Sequence, residues 1–273
     1  MTYVLLLLIG LGGGLIGSLV GLGGGIIIVP ALLFFSGYFA ILNDITPQTA
    51  VGTSLLVLIF IGLSSTLSYM KHKTVDYKSG FLFFAGSGPG GLVGAFLNRN
   101  LNVDGFSLYF GLFVILTSII LMFQSRIKPI KKETYPITRT FEGKDKTKWV
   151  YGYHPATAII LAFVVGLFSG LFGVGGGSLM VPAMIMLFAF PPHVAVATSM
   201  LMVFLSSIIS SITHISLGNV DWLLALFLVP GAWIGAKLGS FINSKVKSKT
   251  VVSLLRIILL VVGIRMVYES IVG

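Results

Sequence analysis

The 273-residue sequence predicts an all-α polytopic membrane protein made of two inverted-topology repeats. Three observations predict it. The chain is 56% hydrophobic and only 10% charged, against about 25% charged in soluble domains, and it holds apolar stretches near or above the roughly 20 residues that cross a bilayer. Its two halves repeat each other. Its lysines and arginines cluster in loops that one threading of the chain places on a single side.

The elements follow in order. The first half, 1–124, has apolar stretches at Tyr3–Phe39, Ala50–Met70, Ser79–Leu97 and Gly105–Phe123. A basic linker, 125–154, comes next. The second half, 155–273, has stretches at Pro155–Phe190, Val194–Ile215, Trp222–Ile242 and Val251–Val272. GLGGGIIIVP at 21–30 returns 152 positions later as GVGGGSLMVP at 173–182. Ala50-Val-Gly-Thr-Ser54 matches Ala195-Val-Ala-Thr-Ser199, Val75-Asp76-Tyr77 matches Val220-Asp221-Trp222, and glycines 86, 90 and 94 match 231, 235 and 239, all at an offset of 145. Apolar helices match by chance at Leu and Val. They seldom align Gly, Pro, Thr, Asp and the pair Asn98 and Asn243, so the chain is an internal duplication.

The first stretch of each half sets the topology. Tyr3–Phe39 is 37 residues, about 55 Å as one helix and nearly twice the ~30 Å hydrocarbon core. Glycine costs a helix interior about 1 kcal/mol relative to alanine, so three in a row suit a turn better than a span. Each half is therefore expected to hold a glycine-broken first hairpin and three further transmembrane helices. The returning arm Ile26–Phe39 is 14 residues, about 21 Å, which suits partial penetration. Folding back brings three basic loops to the cytoplasmic side: Lys71, Lys73 and Lys78; the linker; and Lys245, Lys247 and Lys249. Both termini then lie outside and the halves are inverted; Arg99, beside Asp104, is the exception. Inverted repeats are a construction of secondary transporters, with substrate held where the repeats meet.

A backbone turn at membrane depth requires protein or a water-filled cavity to satisfy its polar groups. Gly23, Gly24 and Gly25, with Gly175, Gly176 and Gly177, are therefore expected to line a substrate site, presenting helix N-terminal amides that favour anions. Thr53, Ser54, Thr198 and Ser199, at matching positions of both repeats, are candidate hydroxyl donors to the same oxyanion, although membrane hydroxyls also bond their own helix carbonyls. The glycines spaced by four read instead as close helix packing. His214, its counterpart Tyr69, and Arg256 are candidates for gating or a proton-linked role; His193 reads as interfacial and Arg265 as snorkelling. All eight acidic residues lie in loops or near span ends, so no buried carboxylate offers a proton relay or cation site.

The absences narrow the function class. With no cysteine, disulfides, thiolate metal sites and cysteine nucleophiles are excluded. No metal-ligand cluster or catalytic set lies at membrane depth, so no cofactor and no enzyme activity is expected. The net charge of +10 sits in short loops and reads as orientation rather than nucleic-acid binding. The apolar start from Tyr3 lacks a basic n-region and a cleavage site, so it reads as a retained helix.

At these motifs the chain resembles the sulfite exporter TauE/SafE family. The likeness rests on the two Gly-x-Gly-Gly-Gly-x-x-x-Val-Pro segments, the two Ala-Val-x-Thr-Ser segments and Asn219-Val-Asp-Trp222 with the spaced glycines after it. It covers nearly the whole chain outside the linker. The resemblance implies a cell-membrane exporter of sulfite, small sulfonates such as sulfoacetate, and related oxyanions. The first half departs from the second at Lys73-Thr-Val-Asp76, against Gly218-Asn-Val-Asp221, and in placing Tyr69 opposite His214. Export is also the downhill direction for an anion: with the interior negative, expelling one charge gains about 2.3 kcal/mol per 100 mV. The alternative cargoes are a carboxylate, a neutral metabolite or a metal ion.

Overall fold

The computed structural model describes residues 2–39, 42–124, 135–142, 148–243 and 249–272. Among them, ten helices and one hairpin follow in chain order: α1 (Thr2–Val20), α2 (Gly25–Phe35), α3 (Pro47–Lys71), α4 (Tyr77–Asn98), α5 (Val103–Gln124), β1 (Ile137–Glu142), β2 (Lys148–Tyr153), α6 (Pro155–Phe172), α7 (Gly177–Leu187), α8 (Pro192–Ser216), α9 (Trp222–Asn243) and α10 (Lys249–Val272). Among the described residues seven helices, α1, α3, α4, α5, α6, α8 and α9, are long and apolar enough to cross a membrane. The protein is a multi-pass membrane protein. The expected break in each first stretch is present, and α2 and α7 are 11 residues each, about 16 Å and half a hydrocarbon core.

Helix starts follow local sequence. Thr46 caps α3, its hydroxyl accepting from the Thr49 N–H at 3.1 Å, with Pro47 at the first helical position. Asp76 caps α4 by accepting from the Ser79 N–H at 3.2 Å, and Asp221 caps α9 by accepting from the Leu224 N–H at 3.0 Å. The matched Val-Asp-aromatic segments are thus helix starts, and the carboxylates at 76 and 221 are caps.

The glycine stripes decide which helices meet. A Cβ on Gly231, Gly235 or Gly239 of α9 would overlap the carbonyl oxygen of Leu7, Leu11 or Leu15 of α1. Gly10 and Gly14 of α1 meet Leu228 and Ala232 of α9 in return. Residue numbers rise together, so α1 and α9 run parallel with their backbones in contact. The equivalent pair repeats this: Gly86, Gly90 and Gly94 of α4 lie on the carbonyls of Ile159, Phe163 and Leu167 of α6. Each half therefore sends its first helix across to the third long helix of the other, and the halves interlock.

The central helices run the other way. Gly52 of α3 lies against His214 and Asn219 at the end of α8, whereas Gly62 lies against Phe204. The equivalent helices α3 and α8 are thus antiparallel. So are α5 and α10, where Gly111 faces Gly263 and Val267 while Gly263 faces Gly111 and Ile115. Equivalent helices of the two halves thus pair with each other, and the contacts of one half recur in the other.

The linker holds a structure that sequence reasoning missed. Where no periodicity stood out, β1 and β2 form an antiparallel hairpin, from Ile137 opposite Tyr153 to Glu142 opposite Lys148. Strand β1 alternates half-buried Ile137, Arg139 and Phe141 with exposed neighbours, and β2 buries Tyr151 and Tyr153. ITRTFE and KWVYGY carry the alternation and aromatic content of strands; the surrounding lysines drew attention to charge instead. Linker residues 125–134 and 143–147 lie outside the described residues.

Candidate functional site

The two glycine turns meet at the centre of the molecule. Helix α1 stops at Val20, and the amides of Gly21 and Leu22 both donate to the Gly17 carbonyl at 2.9 Å. Gly21, Gly23 and Gly24 then reverse the chain with φ of 80°, 97° and 100°, a backbone region that side-chain-bearing residues rarely occupy. Gly173 and Gly175, at φ of 70° and 76°, do the same after α6. A Cβ on Gly175 would lie 3.5 Å from the Cα of Gly23. Gly25 lies on the Gly173 carbonyl and Gly177 on the Gly21 carbonyl, so the turns are in reciprocal backbone contact. The first turns of α2 and α7, whose leading amides lack partners within the helix, begin at this junction.

The four candidate hydroxyls are fully buried, and each ties one half to the other, the serines at the glycine junction and the threonines at the starts of α4 and α9. Ser54 Oγ donates to the Gly173 carbonyl at 2.9 Å, and Ser199 Oγ donates to the Gly21 carbonyl at 2.9 Å. Thr53 Oγ1 accepts from the Asp221 N–H and Thr198 Oγ1 from the Asp76 N–H, both at 3.0 Å. In this conformation the hydroxyls satisfy backbone groups that glycine turns and helix caps would otherwise leave unpaired. Ser54→Ala and Ser199→Ala are each expected to destabilise the protein by about 0.6 to 1.7 kcal/mol, the range for interhelical hydrogen bonds in bilayers. Reversible unfolding in bicelles reads this out; no change in either variant would show that the carbonyls find other donors.

Tyr69 and His214 prove to do the same work with different chemistry. Tyr69 Oη donates to the Ser18 carbonyl at 2.8 Å, and His214 Nε2 lies 3.0 Å from the carbonyl of Gly170, the counterpart of Ser18. The Asn219 Nδ2 amide reaches His214 Nδ1 at 3.3 Å, so the neutral tautomer protonated at Nε2 satisfies both contacts. Asn98 and Asn243 complete the set. Their amides donate to the Leu171 and Leu19 carbonyls, each at 2.7 Å, and so satisfy the last turns of α6 and α1 before the glycines. The asparagines were visible in the duplication, but only their partners show their role.

The remaining candidates lie elsewhere. His193 packs edge-on against Phe141 of the hairpin, with centroids 5.0 Å apart. The side chain of Arg256 lies outside the described residues. Arg265 sits over the Phe34 ring, 4.1 Å from its centroid, and borders a cavity of about 820 Å³. That cavity runs along α2 from Ile26, beside the glycine turn, to Phe34, and ends at the α2–α3 connection around Asp44 and Thr46.

On the linker side, Asp76 is shared. Its carboxylate accepts from Ser79 Oγ at 2.6 Å and Tyr151 Oη at 3.0 Å, and Arg139 Nε lies 4.0 Å away. Burial and the adjacent Asp76 charge push the Tyr151 phenol above its usual range, so it remains a proton donor at neutral pH.

The profile described as sulfite exporter TauE/SafE matches residues 6–266. The chain belongs to the sulfite exporter TauE/SafE family. It is similar to "Probable membrane transporter protein YunE" of Bacillus subtilis, at 54% identity over 99% of both chains. It is also similar to "Probable membrane transporter protein MJ0441" of Methanocaldococcus jannaschii, at 29% identity over 96% of this chain and 94% of that one. No solved structure matches the chain. As a TauE/SafE protein it is a membrane transporter, not an enzyme.

Proposed function

We propose that this TauE/SafE protein is a secondary transporter that exports small sulfur-containing anions, such as sulfite and sulfoacetate, across the cell membrane by alternating access. The observation that carries the reading is the junction of the two glycine turns. Two short helices begin there from opposite halves, and their N-terminal amides and dipoles favour a negative charge. The antiparallel pairing of equivalent helices suits repeats inverted across the bilayer. The linker then lies in the cytoplasm and both termini lie outside. The glycine turns themselves offer backbone amides rather than a carboxylate, so an anion carried past them keeps its charge and the membrane potential drives it outward. The cavity beside α2 is far larger than sulfite and admits organosulfonates.

The test is flux of labelled sulfite and sulfoacetate in proteoliposomes held at set potentials, for the wild type, Gly176→Leu and Gly12→Leu. A Cβ at Gly176 meets only the Met202 methyl at 2.9 Å and Val165 Cγ1 at 3.1 Å before reaching backbone, and one at Gly12 meets nothing within 4 Å. Saturable, voltage-dependent flux that falls at least tenfold in Gly176→Leu and persists in Gly12→Leu is the expected result. Equal loss in both, or flux that follows a pH gradient at zero voltage, would sink the reading.

A further inference from the structure

The two halves differ where their short helices connect to the next span. On one side, the α2–α3 connection spans 36–46 and borders the 820 Å³ cavity. Its counterpart, the α7–α8 connection, spans only 188–191, which accounts for the seven-residue difference between the halves. Here the hairpin is in place. The Gly152 N–H donates to the Phe188 carbonyl at 3.2 Å, and the Tyr151 ring lies 4.2 Å from that of Phe190. Tyr153 packs against Phe188 and Phe83, with centroids 5.5 Å and 5.4 Å away. The same tyrosines hydrogen-bond Asp76 and Ser79 at the start of α4, and Arg139 Nε lies 4.0 Å from the Asp76 carboxylate. The hairpin thus bridges α4 of the first half and the α7–α8 connection of the second. Asp221, the counterpart of Asp76 in the duplication, caps α9 through the Leu224 amide.

We propose that the linker hairpin is the gate over a second vestibule, equivalent to the open cavity beside α2 and running along α7 to the glycine junction. The conformation is one half-cycle: open along α2, latched along α7. Opening the second vestibule requires the hairpin to leave Phe188 and Phe190, and the polar latch on Asp76 sets how readily it does so. The proposal rests on the alternating-access reading above, but its first test does not depend on the cargo.

Because the chain has no cysteine, single introduced thiols report access directly. Ile27→Cys lies on the open cavity, and Leu179→Cys is its counterpart on α7. Each is labelled with a charged thiol reagent in nanodiscs, where both faces are exposed, with the hairpin intact and with Arg139→Gln/Tyr151→Ala. That pair of changes spares the Asp76 cap of α4. Ile27→Cys is expected to react quickly in both backgrounds, and Leu179→Cys at least tenfold faster once the latch is broken. Equal Leu179→Cys rates in the two backgrounds would overturn the gate. As a second arm, Tyr151→Cys/Phe190→Cys is oxidised to pin the hairpin, and sulfite or sulfoacetate flux is compared before and after reduction. Flux that appears only on reduction supports the gate, and flux unaffected by the cross-link overturns it. Flux absent in the wild type counts against the proposed cargo, while the labelling arm still decides the gate.

Discussion

Gly25→Ala and Gly177→Ala are expected to abolish folded protein, each by itself. A Cβ at Gly25 would overlap the Gly173 carbonyl, and one at Gly177 the Gly21 carbonyl. Both obstacles are backbone, so no rotamer change relieves them. The turns must separate instead. Separation costs about 1–3 kcal/mol in overpacking, and it also breaks the Ser54 and Ser199 bonds to those carbonyls, at roughly 1–3 kcal/mol for each buried group left unpaired. The sum is comparable to the whole stability of a typical domain, about 5–15 kcal/mol. Gly12→Ala, with nothing within 4 Å, is expected to be neutral or to stabilise by up to about 1 kcal/mol through helix propensity. Size-exclusion yield and thermal unfolding of fluorescent fusions distinguish these. Wild-type behaviour of Gly25→Ala would mean that the turns are further apart than described.

The second large effect is expected along the stripes. Gly235→Leu should separate α9 from α1, and Gly90→Leu should separate α4 from α6, because each Cβ would overlap a carbonyl oxygen of the facing helix, Leu11 and Phe163 respectively. In a bilayer the helices gain nothing from hydrophobic exclusion of lipid, so close backbone contact is the main source of their association. Single alanine changes at Gly231, Gly235 and Gly239 should each cost about 1–3 kcal/mol. The triple change should cost less than the sum, since one outward shift of α9 relieves all three overlaps. Strict additivity would show independent local accommodation and refute a rigid helix-to-helix contact.

Much of the fold was legible because membranes impose simple rules. The eight apolar stretches, the duplication and the break at each glycine cluster follow from span length, motif offset and the penalty of consecutive glycines. The site was legible only in outline. Thr53, Ser54, Thr198 and Ser199 stood out as paired hydroxyls beside the turns, but nothing local says that Ser54 reaches Gly173 or that Thr198 reaches Asp76. Tyr69 and His214 looked like a broken symmetry, yet both bond equivalent carbonyls. The linker hairpin went unseen because its aromatic alternation occupies two six-residue strands within a charged segment.

The sequence by itself determined how many apolar elements there are, where they turn back, and which residues of the two halves are equivalent. Each of these depends on spacing along the chain. The tertiary structure alone decided that α1 lies on α9 and α4 on α6, that the hydroxyls and asparagines are spent on backbone groups of partner segments, and that the hairpin covers one of two equivalent connections. A glycine stripe records that some backbone comes close, and a buried hydroxyl that some carbonyl needs a donor. Which backbone and which carbonyl depend on segments up to 224 positions away, as between Asn243 and Leu19, and only folding brings them into contact.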